Sequence, residues 1–551
     1  MNPIGILVFI FNSMLFYLFK SMCGIVAVLK KSSVQPSLEK LRNRGPDESG
    51  GYSDEHVYLG HTRLSIVHPE AGAQPIVYQD WVVTMNGEVY NYQAGEAETD
   101  CFMVPKLLAE HGPQGIQNID GVFSFVAWNK VTHQVIVARD PIGVTPLYWS
   151  ADGVFCSLLT CFTSGGAEVQ VVPPGTYASF HIDETPVWTS YAPAYSDWSD
   201  TVSKSVAPTG IVDVLRRAVA KRLSGDVPWG VLLSGGLDST IVATLAVELA
   251  KTLRPDYPVV HTFCIGLADS PDVRVAKEVA ARLNTNHVSI EYTVEEGISN
   301  LREVIRAIET YDMTTVRAST PMWILGKVLK VRGIKMVLSG EGSDELFAGY
   351  LYNLHCPSVS EMVTECKSKM AQLHAYDCQR ANKTLGDWGV ETRVPFLDKE
   401  VVDFAMNRLP PIFKMSGTHP DGPRPEKWFL REAFRDIIPD CVTDRTKAQF
   451  SDAVGNAWID SLILYAERNI DEATFAAAEQ TYAYNTPATK EAYLYRSIFQ
   501  TLFTQPGAEK TVLYTGKSIA CSTGAAADWH EKFKTCMDPS GESIQRALQG
   551  F

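Results

Sequence analysis

Residues 230–239 read Gly-Val-Leu-Leu-Ser-Gly-Gly-Leu-Asp-Ser. An apolar run gives way to Ser234-Gly235-Gly236, and a helix-compatible stretch follows. Glycines let the backbone turn tightly and bring its N–H groups close to an anion. A helix N-terminus adds positive dipole. The chemistry such a turn offers is the binding of a phosphate or pyrophosphate. No Gly-Lys-Ser/Thr follows, so the loop is not a Walker A loop. Asp238 stands where that motif has lysine. An aspartate beside phosphates repels them unless a divalent cation bridges the two, so Mg2+ is implied. The competing reading is an ordinary strand–turn–helix junction. A second loop, Ser339-Gly340-Glu341-Gly342-Ser343-Asp344-Glu345, puts three carboxylates on one turn. They repel each other unless a metal or an ammonium-like group relieves them; otherwise the turn is simply solvated. A third feature is Met22-Cys23-Gly24, a pair resembling a fresh start, set well inside the chain. A thiol needs a base to become a thiolate at neutral pH. An α-amino group, with a pKa near ~8, can be that base only if Cys23 is the first residue of the mature chain.

The elements that must position these residues fall into two textures. From 23 to about 200, short β-like runs (25–29, 56–59, 81–85, 122–128, 135–138 and 175–181) are separated by turn clusters such as 44–47 and 140–143, with a helix-like segment at 100–111. This predicts an α+β domain, an antiparallel sheet sandwich flanked by helices. A polar linker is expected near 195–206. From about 207, strands at 229–233, 259–265 and 334–338 alternate with helices at 239–251 and 273–283. That alternation predicts a parallel sheet with helices on both faces, an α/β domain, and a mainly helical remainder after about 377.

Composition agrees with large globular cores: of 551 residues, 45% are apolar and 20% charged. The net charge of −14 argues against a broad nucleic-acid surface. Eleven cysteines without a C-x-x-C pair favour a reducing compartment over a disulfide framework or a zinc ribbon. Residues 3–19 are almost uncharged, at the short limit of a membrane span. They read as a signal anchor or as sequence ahead of the true start at Met22. The domain expectation is therefore an extension over 1–22 that the active enzyme lacks, domains over 23–200 and 207–540, and a tail over 541–551.

The string SGGLDS resembles the pyrophosphate loop of the ATP-pyrophosphatases. Taken with LSGEGSDELFAGY (338–350), ETYDMTTVRASTPM (309–322), ETRVPFLD (391–398), KAQFSDAVG (447–455), MCGI, RGPD (44–47), RLSIV (63–67) and MNGEVYN (85–91), the chain resembles the glutamine-hydrolysing asparagine synthetases from residue 22 to about 540. The resemblance implies an Ntn-hydrolase type class II amidotransferase half whose nucleophile is the Cys23 thiol, freed by loss of Met22. Asn86 and Gly87 would donate to the oxyanion. Arg63 would grip the glutamine carboxylate as a bidentate pair, with Leu64, Ser65, Ile66, Val67 and Glu88 around it. Asp100 would hold the α-ammonium, although the stretch from Asn91 to Asp100 is shorter than the family's by roughly a dozen residues.

In the synthetase half the resemblance implies ATP at Leu233, Ser234, Gly235, Gly236, Asp238, Ser239, Ile265, Ser339 and Gly340. It implies Mg2+ at Asp238 and Asp344, aspartate at Arg317, and chemistry at Glu341 and Lys447. Ammonia made at Cys23 would cross to the second site by an apolar passage. A cytoplasmic enzyme is expected, with small-molecule partners and a homodimer as one assembly. The alternatives are an ammonia-dependent synthetase, if residues 1–22 persist, a synthetase for another carboxylate, or a membrane-tethered glutamine-binding protein without catalysis.

Overall fold

The computed structural model describes residues 23–29, 37–68, 70–92, 99–192, 210–268, 270–417, 422–443, 445, 457–513 and 522–534. The expected linker, Lys447 and residues 1–22 lie outside them.

Alternation builds the N-terminal half. Strands β1 (Gly24–Leu29), β2 (Glu48–Ser53), β3 (Val57–Arg63), β4 (Ile76–Tyr78), β5 (Trp81–Val89), β6 (Gly121–Asn129), β7 (Gln134–Arg139), β8 (Tyr148–Ser150), β9 (Val154–Cys156), β10 (Val169–Val171), β11 (Thr176–His181) and β12 (Thr189–Ser190) form two sheets. Their orders are β10-β8-β9-β1-β3-β2 and β12-β11-β7-β6-β5-β4, and the pairings are antiparallel. Successive side chains of a strand point to opposite faces, so the inner strands serve two cores. Ile25, Ala27 and Leu29 of β1 join Val82, Val126, Trp128 and Val137 between the sheets. The other face of the second sheet, with Met85, Phe123, Phe125 and Ile136, packs on helix α1 (Met103–His111) through Val104 and Leu108.

The outer face of the first sheet has a different cover. Val26 and Val28 belong to one apolar core with Leu301, Val304, Ile305, Ile324 and Leu325. These lie on α5 (Val294–Ile308) and α6 (Met313–Val331) of the C-terminal half. The expected helical layer on this side is therefore lent by the second domain, and β1 is buried along its whole length. This accounts for an unbroken apolar run in an antiparallel strand.

The C-terminal sheet is wholly parallel, in the order β15 (Asn286–Glu291), β14 (His261–Gly266), β13 (Trp229–Leu232), β16 (Met336–Leu338), β17 (Glu391–Arg393). Val231, Met336 and Leu338 face helices α2 (Gly210–Arg222) and α3 (Leu237–Leu253). Leu232, Phe263, Ile265 and Val337 face α5 and α6. Helix α4 (Pro271–Leu283) follows β14, with Ser270 accepting from the Val273 N–H as its N-cap. The three expected strands are present. Strands β15 and β17 were not anticipated, because one is a half-buried polar edge and the other is three residues long. Since β13 and β16 pair in register, Val231 opposite Leu338, the two glycine loops leave neighbouring strands at the same end of the sheet, where ligands of such sheets bind.

Candidate active sites

The first site begins at the head of β1. Cys23 Sγ accepts from the Leu64 N–H at 3.4 Å and lies 3.7 Å from Leu64 O. Arg44, from the RGPD segment, donates through Nε to Cys23 O at 3.0 Å. Burial pushes the thiol up to about 12 against the Leu64 N–H, with Glu391 and Glu88 adding to the rise. A thiol raised in this way becomes a nucleophile only with a base beside it. Among the described residues the hydrogen-bonding partners of Sγ are the backbone groups of Leu64.

Around the sulfur, β3 and β5 bring the predicted residues together. Arg63, at the end of β3, is buried. Its Nη1 lies 3.2 Å from Glu48 Oε2, and Nη2 donates to His68 O at 3.0 Å and to Ala71 O. The guanidinium is thus anchored before any substrate arrives. Leu64 and Ile66 enter the core shared with Trp229 of β13, with Val67 against it. The Ser65 N–H donates to Asp47 at 2.8 Å. On β5, Asn86 is 1% exposed, and among the described residues its Nδ2 has no hydrogen-bond partner. A buried amide donor left unmade costs about 1–3 kcal/mol, which an incoming acceptor would relieve. Gly87 has φ +141°, and a Cβ there would lie 2.0 Å from Val122 O, so no other residue fits. Asp100 accepts from the Val89 N–H at 2.7 Å. Burial pushes its carboxyl up to about 6, against the Val89 N–H and Arg393. Glu88 is also raised by burial, and Arg393 Nη2 sits 2.9 Å from its Oε2. Arg393 lies on β17, so a residue of the second domain completes the first domain's pocket. The sequence singled out ETRVPFLD without giving Glu391 or Arg393 a role.

The second site is a cleft of about 170 Å³ at the carboxyl ends of β13 and β16. Leu233, Ser234, Gly236, Asp238, Ser239, Ile265, Ser339, Gly340, Glu341 and Asp344 line it, as the sequence predicts. Gly235 shapes the turn from behind: its φ is +79°, and a Cβ would sit 2.7 Å from Ala276 N. Ser234 Oγ and Ser239 Oγ are 3.0 Å apart, and the Gly236 N–H donates to Ser234 Oγ at 3.3 Å, closing the cradle. Ser343 Oγ donates to Asp238 Oδ1 at 2.8 Å, tying the two loops together.

The acidic loop is neutralised by side chains the sequence did not single out. The Lys427 ammonium lies 2.7 Å from Asp238 Oδ2 and 2.7 Å from Asp344 Oδ1. Arg380, on α7 (Asp377–Gly386), is 2.6 Å from Glu341 Oε2 and 2.6 Å from Asp377 Oδ1. Burial, with Asp377 and Asp344 nearby, pushes Glu345 up to about 7. The Asp238 and Asp344 oxygens thus converge on one point, which the Lys427 ammonium occupies.

The structure does not bring Arg317 into this cleft. Its Nε and Nη2 donate to Glu491 at 2.8 and 2.7 Å, on helix α8 (Lys490–Leu502), and both side chains are buried. Tyr495 and the Trp458 indole complete that network. The TTVRAST segment contributes Thr314 and Ala318 to the cleft instead. Among the described residues no helix is long and apolar enough to cross a membrane.

Two family profiles match the chain: a glutamine amidotransferase domain over residues 22–207, and asparagine synthase over 210–364 and 355–531. It is similar to asparagine synthetase [glutamine-hydrolyzing] of Zea mays, at 43% identity over 95% of this chain and 93% of that one. It is also similar to asparagine synthetase 3 [glutamine-hydrolyzing] of Arabidopsis thaliana, at 42% over 95% and 94%. With asparagine synthetase B [glutamine-hydrolyzing] of Escherichia coli (strain K12) it shares 40% over 95% and 99%. A cysteine pocket on antiparallel sheets, a phosphate cradle on a parallel one and identity along nearly the whole length place this chain in the family of glutamine-hydrolysing asparagine synthetases.

Proposed function

We propose that this protein converts L-aspartate, L-glutamine, ATP and water to L-asparagine, L-glutamate, AMP and diphosphate. The observation that carries the reading is the orphaned Asn86 amide beside the Cys23 pocket, in a chain that also holds the Ser234–Ser239 cradle. One site is built to receive a developing oxyanion and the other a polyphosphate.

In the first site, the α-amine of a processed Cys23 takes the thiol proton. The thiolate adds to the side-chain amide carbon of glutamine. Asn86 Nδ2 and the Gly87 N–H receive the oxyanion, the protonated α-amine returns its proton to the amide nitrogen, ammonia leaves as the C–N bond breaks, and water cleaves the thioester to glutamate, regenerating the thiol. Arg63 orients the substrate carboxylate and Asp100 its ammonium. In the second site, the aspartate β-carboxylate attacks the α-phosphorus of ATP to form β-aspartyl-AMP, and diphosphate departs. Lys447, in this reading, offsets charge around the α-phosphate. Ammonia then attacks the acyl carbon and AMP leaves. Glu341 takes the proton the ammonia sheds, which requires its pair with Arg380 to loosen. Asp238 and Asp344 are the residues that would hold Mg2+, and the chemistry it would supply there is charge neutralisation for the departing diphosphate.

The reading places the enzyme in the cytoplasm, where free thiols such as those of Cys101, Cys156 and Cys264 persist. The homodimer is its expected assembly, which light scattering checks. The direct test uses glutamine labelled with 15N at the side-chain amide. The label should enter asparagine with one AMP and one diphosphate formed per asparagine. Label released only as free ammonium, or ADP in place of AMP, refutes the reading.

A further inference from the structure

We propose that Lys427 is a resident counter-cation of the nucleotide cleft. Its ammonium holds Asp238 and Asp344 together between turnovers, bars free divalent cations from them, and moves to the departing diphosphate when nucleotide is bound. The proposal rests on the reading of Asp238 and Asp344 as the carboxylates that face the nucleotide's phosphates.

The arm of Lys427 has a built path. The residue sits at φ +52°, in the left-handed region a lysine rarely adopts. Its side chain is 2% exposed and ends 2.7 Å from each of the two carboxylates. A Cβ at Gly349 would lie 1.9 Å from Lys427 Cε and 2.3 Å from Asp344 Oδ1. Glycine at 349 therefore keeps the channel open through which the lysine reaches its partners. Lys427 lines the same cleft as Ser234, Gly236 and Gly340, so the ammonium sits within the phosphate cradle.

The consequence follows from charge. Without an internal cation, Asp238 and Asp344 would be close like charges, and an uncompensated buried charge is strongly destabilising. With the ammonium in place, a bare Mg2+ must displace a tethered cation and also shed water that it holds tightly. Nucleotide changes that balance, because its phosphate oxygens offer the ammonium new acceptors while the cation bridges the carboxylates to the phosphates. The divalent cation thus enters with the nucleotide and not ahead of it. A lysine suits this role better than an arginine, since a point charge on a flexible stem can change partners without a fixed fork geometry.

The test measures binding of Mn2+ to the full-length protein without nucleotide, by electron paramagnetic resonance of the free ion. Lys427→Met should tighten Mn2+ by about tenfold or more and weaken binding of inorganic diphosphate by a similar factor. Adding Asp238→Asn to that variant should remove the gain. Lys427→Arg, which keeps the charge, should leave Mn2+ affinity near that of the parent. Lys427→Gln takes the place of the methionine variant if thermal melting shows that the latter does not fold. Mn2+ affinity unchanged in a folded neutral variant, or raised equally in the arginine variant, overturns the proposal. Failure of the underlying reading looks different: Asp238→Asn in the parent would leave diphosphate release from ATP and aspartate undiminished.

Discussion

In the Cys23 pocket, polar groups are buried without full compensation. The Asn86 amide lacks a partner, the thiol is driven up to about 12, and the Glu88 and Asp100 carboxyls are raised by burial. In the second cleft four carboxylates are already paired inside the protein, Asp238 and Asp344 with Lys427, and Glu341 and Asp377 with Arg380, while Glu345 of the acidic loop is raised like those of the first pocket. In the proposed reading the first site receives a small zwitterion with one ammonium, one carboxylate and one nascent oxyanion, and the second receives a polyanion whose binding displaces the internal partners. The contrast teaches that an unsatisfied donor and a pre-satisfied acid are two ways of storing selectivity, one in a hole and the other in an exchange of partners.

The largest effect that would sharpen this contrast comes from Cys23→Ala. Removing the sulfur should abolish glutamine-dependent asparagine formation, by more than about a thousandfold, while ammonium salts still support it. Loss of both activities would show that the two sites do not work independently. Asn86→Ala comes next. Losing one oxyanion donor should lower glutaminase kcat by about 10²–10³-fold with little change in the glutamine KM, and again spare ammonia-dependent synthesis. A rise in KM alone would mean that Asn86 holds the ground state and not the oxyanion.

How far these sites were legible depends on how each residue reaches its partner. The cradle at 234–239 could be read because a buried strand, two glycines and a helix start lie within ten residues of one another. The parallel sheet could be read where strands are apolar on both faces, as at β13 and β16, and not where they are polar edges, as at β15 and β17. Lys427 was invisible because its partner Asp238 lies 189 positions away. Arg317 shows the same limit from the other side. Its segment matched the family, but the guanidinium turns to Glu491, 174 positions downstream, and not to the cleft. The core that the first sheet shares with the second domain could not be foreseen either, since periodicity shows that a face is buried and not against what.

Arg317→Met tests that reassignment, with a smaller effect on chemistry and a clear one on stability. Removing one partner of a buried ion pair should cost about 3–5 kcal/mol, read as a lower Tm. Arg317→Met combined with Glu491→Leu should recover much of the loss. An aspartate-binding role predicts the opposite pattern, with an unchanged Tm and a raised aspartate KM that the second substitution does not repair.

The smallest predicted effect is in the pH dependence of glutamine binding. Burial pushes the Asp100 carboxyl from the ordinary aspartate range up to about 6. Because the native state holds this proton more tightly than the unfolded chain, the carboxyl adds least cost below its unfolded value and its full cost above about 6. Glutamine binding runs the other way, since the α-ammonium needs the ionised form. The glutamine KM should therefore rise as pH falls through 6, by about tenfold at pH 5. Asp100→Asn should give a raised KM that is flat across the same range. A KM limb that survives in that variant would move the titrating group elsewhere, with Glu88 next in line, since Arg393 of β17 bears directly on its charge. In that event the second domain would tune the first pocket's affinity through a single guanidinium.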